Sequence, residues 1–120
     1  MKADSVRPAE PPLLFQVAAD PVRWSLLHAL SGTDLRIGEL CTTVGRPQNL
    51  VSYHLRKLRE SGLVSSRRSS ADGRDTYYVL DLPRSAALFA DASAALHPGL
   101  MLGLPPAHHQ VLGRRPASVL

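Results

Sequence analysis

The sequence predicts a mainly helical domain that carries one β-hairpin, with the elements in the order α-α-α-α-β-β-α. Three observations support this prediction. Apolar residues recur at helical spacing in four segments before Gly62. A run of β-forming residues, Thr76 to Leu80, follows the turn dipeptide Asp72-Gly73. The alanine-rich segment that opens at Pro83 and continues to Leu96 predicts a last helix.

The first two predicted helices are short and follow a polar, proline-containing segment. Residues 1–12 are predicted to form a flexible N-terminal arm, and residues 13–18 a short apolar helix. The second helix begins at Asp20-Pro21, because Asp accepts hydrogen bonds from the free N–H groups and Pro suits the first helical position. Its apolar residues recur at every fourth position until Ser31-Gly32 ends the helix, at Val22, Leu26 and Leu30.

The third and fourth predicted helices form a helix-turn-helix. The third is marked by Leu35, Ile37, Leu40, Cys41 and Val44, and Gly45 and Pro47 separate it from the next. Gln48 to Ser61 then forms a strongly amphipathic helix that Gly62 ends. In a helix-turn-helix the second helix enters the DNA major groove, and its N-terminal residues contact base edges. Its polar face here consists of Gln48, Asn49, Ser52, Tyr53 and Arg56.

The polar side chains of this helix can recognise bases, and the hairpin that follows can contact the DNA backbone. Gln and Asn can pair with adenine through two hydrogen bonds, and Arg can do so with guanine. The returning strand is Thr76 to Leu80, and the outgoing strand is predicted over residues 63–68. The arginines of this hairpin are predicted to contact phosphate: Arg67, Arg68 and Arg74. A hairpin placed this way makes the fold a winged helix-turn-helix.

The distribution of charge agrees with a polyanionic partner. The formal net charge is +4, but residues 46–74 hold seven basic residues against two acidic ones. That segment alone therefore carries more positive charge than the whole chain, and the remainder is close to neutral. A neutral body with one basic segment is typical of a protein that binds nucleic acid.

Length and composition exclude several other classes of protein. The 120 residues suffice for one domain, predicted over residues 13–97, with a flexible C-terminal tail over residues 98–120. No apolar run approaches the roughly 18 residues of a membrane-spanning helix. The N-terminus has no signal core and Cys41 is the sole cysteine, so we expect a cytoplasmic protein without an internal disulfide. No nucleophile–base arrangement, phosphate loop or H-x-x-x-H spacing occurs, and we expect no enzyme activity.

Residues 13–80 resemble the ArsR/SmtB family of bacterial winged helix-turn-helix transcription regulators. The matching stretches are LFQVAADPVRWSLLHAL, IGELCTTVGRPQNLVSYHLRKLRESGLVSSRR and DGRDTYYVL. The resemblance implies a homodimer built from the first and last helices, two recognition helices in successive major grooves of operator DNA, and an inducer that is often a metal ion. The alanine-rich last helix favours dimerisation independently, because a winged helix leaves it little core to cover.

Both metal sites that the resemblance implies are missing. The family's cysteine pair falls on a stretch without cysteine, residues 34–40, and Cys41 beside it is predicted to lie in the core. The pattern D-x-H…H-x-x-E of the last helix falls on Leu82, Arg84, Ala95 and Pro98. We interpret His28 as a packing or surface residue, and His54 as a residue that supports packing or DNA binding. The remaining histidines suggest a non-standard site for Ni²⁺ or Zn²⁺, with carboxylates, at His97, His108 and His109.

Two alternatives to a metal-responsive regulator stay open. One is a winged-helix protein-interaction module that no longer binds DNA, against which the basic polar helix argues. The other is a regulator that needs a partner protein, a co-regulator, as its ligand sensor.

Overall fold

The computed structural model describes residues 9–71 and 73–102 of the chain. The helices within these ranges are α1 (Leu13–Ala18), α2 (Pro21–Leu30), α3 (Ile37–Val44), α4 (Gln48–Ser61), α5 (Leu82–Leu96) and α6 (Gly99–Leu102). The strands are β1 (Leu35–Arg36), β2 (Val64–Arg68) and β3 (Thr76–Leu80). No helix of these ranges has the length and apolar character to cross a membrane. The predicted winged helix-turn-helix is confirmed, with β1 and α6 added to the predicted order.

Short polar side chains begin α2 and α5. The Oδ1 atom of Asp20 accepts hydrogen bonds from the backbone N–H groups of Val22 at 2.8 Å and Arg23 at 3.1 Å. Oδ1 of Asp81 accepts from the N–H of Arg84 at 3.0 Å. Each carboxylate satisfies N–H groups that have no partner within the helix. The predicted start of α2 at Asp20-Pro21 is confirmed.

The three strands form an antiparallel sheet in the order β1-β3-β2. β3 pairs with β2 along its whole length, from Val64 opposite Leu80 to Arg68 opposite Thr76. Its other edge pairs with β1, where Leu35 lies opposite Tyr78. The prediction that Leu35 belongs to the third helix is therefore wrong, because its backbone pairs with β3 and α3 begins two residues later. We call β2, β3 and the connection between them the wing.

The core lies where α4 packs against the other helices. The largest completely buried side chains are Leu26, Leu40, Val51, Leu55, Leu58 and Leu63. Cys41 is partly buried against this core, as predicted. Because three of the six come from α4, the core fixes the rotation of this helix about its own axis.

Apart from the core, α1 and α5 carry apolar side chains that stay exposed. On α5 only Ser85 and Ala92 are buried, whereas Leu82, Phe89 and Leu96 are 68%, 53% and 80% exposed. Leu13 and Phe15 of α1 are about half exposed as well. We call these five residues the apolar face. A patch of this kind on a small domain marks a binding surface.

Candidate nucleic-acid interface

Helix α4 presents its predicted polar residues to solvent. Val51, Leu55 and Leu58 are buried at helical spacing. The other side of the helix carries Gln48, Asn49, Tyr53 and Arg56, all exposed, with Ser52 partly buried. The residues predicted to contact bases therefore form one accessible surface at the N-terminal half of α4.

His54 ties α4 to the start of α2. Its ring is only 6% exposed, and Nη1 of Arg23 lies 3.1 Å from Nδ1. A guanidinium can only donate, so Nδ1 is the acceptor. Nε of Arg23 donates to the carbonyl of Val17 at 2.6 Å. His54 is thus a packing residue, one of the two roles that the sequence suggested.

The carboxyl of Asp20 completes this cluster. Its Oδ1 lies 4.0 Å from Nδ1 of His54. Burial raises the pKa of Asp20, but hydrogen bonds from the backbone N–H groups of Arg23 and Val22, with the positive charge of Arg23, lower the pKa below its ordinary value of 3.8. The guanidinium of Arg23, hydrogen-bonded to the imidazole of His54, therefore ties α4 to α2 beside the Asp20 cap.

Two cations flank the exposed ring of Tyr53. The guanidinium carbon of Arg56 and Nζ of Lys57 each lie 5.7 Å from the ring centroid, and the ring meets that of His54 edge to face at 5.0 Å. Lys57 was not among the predicted DNA-binding residues, although its spacing of four from Tyr53 places both on one side of the helix.

The arginines of the wing differ in their partners. Nη1 of Arg68 donates to the carbonyl of Gly73 at 2.9 Å and reaches that of Arg74 at 3.4 Å, so this side chain braces the tip. Arg67 forms an ion pair with Asp34 at 3.1 Å. Arg74 is exposed at the tip. Of the predicted turn dipeptide, Gly73 adopts a positive φ of 71°, and Asp72 lies outside the described residues.

A basic cleft continues the polar surface towards the C-terminal end of α4. Arg56, Arg59 and Arg84 line a cleft of about 480 Å³ together with Glu60 and the β2 serines. Neither Arg59 nor Arg84 was among the residues predicted to contact DNA. Arg59 could have been predicted to lie beside Arg56, because residues three apart share one side of a helix. Arg84 of α5 could not, because only the tertiary fold brings it to this cleft.

The described residues do not fit a metal ion. Within residues 9–71 and 73–102, no three His, Cys, Asp or Glu side chains gather into a metal-binding group. Nδ1 of His97 accepts a hydrogen bond from the N–H of Gly99 at 2.8 Å, and His28 is exposed on α2. The predicted ligands His108 and His109 lie outside the described residues.

Comparisons with known proteins agree on one family. Residues 20–66 match the model of the bacterial regulatory protein, arsR family. The chain is 36% identical over 101 residues to the HTH-type transcriptional regulator KmtR of Mycobacterium tuberculosis, covering 83% of this chain and 73% of that protein. It is also 36% identical over 81 residues to the arsenical resistance operon repressor of Escherichia coli, covering 65% and 67% of the two chains.

A solved structure supports the fold. The homodimeric winged helix-turn-helix DNA-binding domain from Mycobacterium bovis superposes with a TM-score of 0.55, at 24% identity, covering 73% of this chain and 79% of that one. At this level of identity the similarity shows the fold alone, that of a winged helix-turn-helix domain.

Proposed function

This chain belongs to the ArsR/SmtB family of bacterial winged helix-turn-helix transcription regulators, and from that premise we propose that it binds operator DNA as a homodimer. In this proposal Gln48, Asn49, Ser52, Tyr53 and Arg56 contact bases and nearby phosphates, and Arg67, Arg68 and Arg74 contact phosphate. Family membership makes the chain a transcription regulator and not an enzyme.

The observation that carries the proposal is the combination of an exposed polar face on α4 with a basic wing that follows it directly. The buried residues Val51, Leu55 and Leu58 turn this face outward, and Gly62 leads from the helix into β2. Phosphate contacts by the wing would position the protein, while contacts from α4 to base edges would select the sequence.

The apolar face supports the homodimer. Leu82, Phe89 and Leu96 are each more than half exposed, and burial of apolar side chains is the main favourable term in protein association. The similar domain from Mycobacterium bovis is a homodimer. We infer that a second copy of the chain covers this face through α1 and α5, which would set two α4 helices at a fixed spacing on the duplex.

The effector forms a separate part of the proposal. The ligands that the sequence suggests for Ni²⁺ or Zn²⁺ are His97, His108 and His109, and a site built from them needs residues beyond the described ranges or from the second protomer. The direct test is titration of the protein with each ion, with and without DNA. An ion that leaves the DNA affinity of the protein unchanged is not its inducer.

The DNA-binding proposal predicts different effects for the two parts of the interface. On a site selected from a random duplex library, Asn49→Ala or Arg56→Ala should each cost roughly 1–3 kcal/mol and broaden the preferred sequence. Arg68→Ala should weaken binding to all sequences alike and reduce the salt dependence. Fluorescence anisotropy with the selected duplex and with unrelated duplexes, over about 50 to 200 mM salt, measures the affinity, the sequence preference and the salt dependence.

The control for this experiment is Ser25→Ala, which removes an exposed hydroxyl on α2, a helix assigned neither to the DNA nor to the dimer, and it should leave affinity and salt dependence unchanged. A wild-type protein that binds no duplex would refute the function. An Arg68→Ala variant that changes only sequence preference would refute the assignment of the wing to phosphate.

A further inference from the structure

Three side chains from three strands lie side by side on the wing sheet. The register of the sheet places Tyr77 of β3 between Arg36 of β1 and Arg67 of β2. The guanidinium carbon of Arg67 lies 4.8 Å from the Tyr77 ring centroid, and that of Arg36 lies 5.9 Å from it. Both distances allow a cation–π interaction with one ring. We call this arrangement the arginine row.

Carboxylates of the same chain pair with both arginines of the row. Oδ2 of Asp34 accepts hydrogen bonds from Nε of Arg67 at 3.2 Å and from its Nη2 at 3.1 Å. Arg36 reaches Glu39 at 3.3 Å and Asp75 at 3.4 Å. Three acidic side chains therefore accompany two arginines, and the row has no excess positive charge to attract DNA while these pairs are formed.

The pair between Asp34 and Arg67 can exchange with a phosphate group. Their side chains are 37% and 50% exposed, and exposed ion pairs contribute little to stability because water screens them. A DNA phosphate offers the same acceptor chemistry to the same two donors, Nε and Nη2. Asp34 and phosphate are thus competing partners for one guanidinium.

We propose that Asp34, which precedes β1, limits the affinity of the wing for DNA, because it holds Arg67 in the free protein and competes with DNA phosphate for it. The inference depends on the proposed DNA binding. When duplex binds, Arg67 exchanges the carboxylate for a phosphate oxygen, so that the free energy of the ion pair opposes binding. Since phosphate carries no sequence information, Asp34 weakens binding to all sequences alike and leaves base selection to α4.

The test compares four proteins on a random-sequence duplex of about 30 base pairs, long enough for two half-sites. They are wild type, Asp34→Asn, Arg67→Ala and the double variant. Asp34→Asn should tighten binding by up to about fivefold, the scale of one exposed ion pair. It should also steepen the plot of log K against log salt by up to about 0.9, as for one further phosphate contact. In the Arg67→Ala background the same change should have no such effect.

Glu10→Gln is the matched control, because it removes one exposed carboxylate outside the helices and strands and changes the net charge equally. Equal effects of Asp34→Asn and Glu10→Gln would refute the inference, since only total charge would then matter. Weaker binding by Asp34→Asn, with an unchanged circular dichroism spectrum, would also refute it by showing that the pair merely positions the wing. If neither wild type nor any variant binds duplex, the proposed function fails and the inference fails with it.

Discussion

Tyr53 and His54 are neighbours in the sequence with opposite environments. Tyr53 is 43% exposed between two cations, whereas His54 is 6% exposed beside Arg23 and Asp20. The helical rotation of about 100° per residue separates them, because 3.6 residues complete a turn. A polar residue type alone therefore does not identify a DNA contact. A residue of α4 can contact DNA only if it lies on the side of the helix opposite the buried Val51, Leu55 and Leu58.

At this scale we predict a pH dependence that comes from Asp20. Its pKa is lowered in the folded state from the ordinary 3.8, so its charged form stabilises the fold above that pH. This contribution is lost as the pH falls through 3.8 towards the folded-state pKa. Asp20→Asn keeps an oxygen that can accept at Oδ1 but has no charge to titrate. Its free energy of unfolding should therefore fall less than that of wild type on acidification.

Urea unfolding followed by circular dichroism, repeated at a series of acidic pH values, measures this difference. Parallel losses of stability in wild type and Asp20→Asn would contradict the prediction and would assign the acid sensitivity to other carboxylates, such as Glu39. The pKa of Glu39 is also lowered, by hydrogen bonds from the backbone and side chain of Arg36.

At the scale of elements, Gly62 fixes the direction in which the chain leaves α4 for the wing. Its φ of +93° lies in the left-handed region, which costs other residues steric strain. A Cβ atom there would lie 2.9 Å from Nε of Arg84, the far end of a flexible side chain that can move aside. The backbone conformation, more than the contact, therefore requires glycine at this position.

We predict that Gly62→Ala lowers the free energy of unfolding by about 1 to 3 kcal/mol, the usual cost of a strained backbone conformation. Gly38→Ala is the matched control. Gly38 lies within α3, and a Cβ atom there would have no other atom within 4 Å. The control should stabilise the protein by roughly 0.5–1 kcal/mol, because alanine is the better helix former. Urea unfolding measures the free energy of unfolding of both variants. A change of the same sign in Gly62→Ala and Gly38→Ala would contradict the explanation.

The sequence determines some elements locally and others only through distant partners. α4 could be predicted to the residue because its apolar period, Gly62 and Pro47 all lie within or beside it. β1 could not, since its two residues owe their extended form to β3, some forty positions later. The pairing of Arg67 with Asp34 and the approach of Arg84 to α4 likewise depend on tertiary contacts that no local pattern contains.

At the scale of the whole molecule, the apolar face predicts the state of assembly. Phe89→Glu would place a charge among Leu82, Leu96 and the α1 residues, where its desolvation on association is unfavourable. We expect this variant to sediment as a monomer at concentrations where wild type is a dimer, and to lose affinity for DNA because one α4 helix would have to bind alone.

Thr43→Glu serves as the control for assembly, since it adds the same charge at an exposed position of α3 and should stay dimeric. A dimeric Phe89→Glu variant would show that the second copy binds elsewhere. Emission of Trp24, the sole tryptophan, offers a second measurement because its ring lines a cleft with Leu82 and Phe89.

The two residues of β1 have a mechanical consequence. From β1 the chain passes through α3, α4 and β2 to β3, which bonds back to β1. The recognition helix and the wing thus belong to one closed circuit of covalent and hydrogen bonds, in which a displacement of any member is resisted by all the others. In the proposed homodimer, an effector that changes the affinity for DNA would meet the least resistance by changing the tilt or separation between two such circuits, while each keeps its own shape.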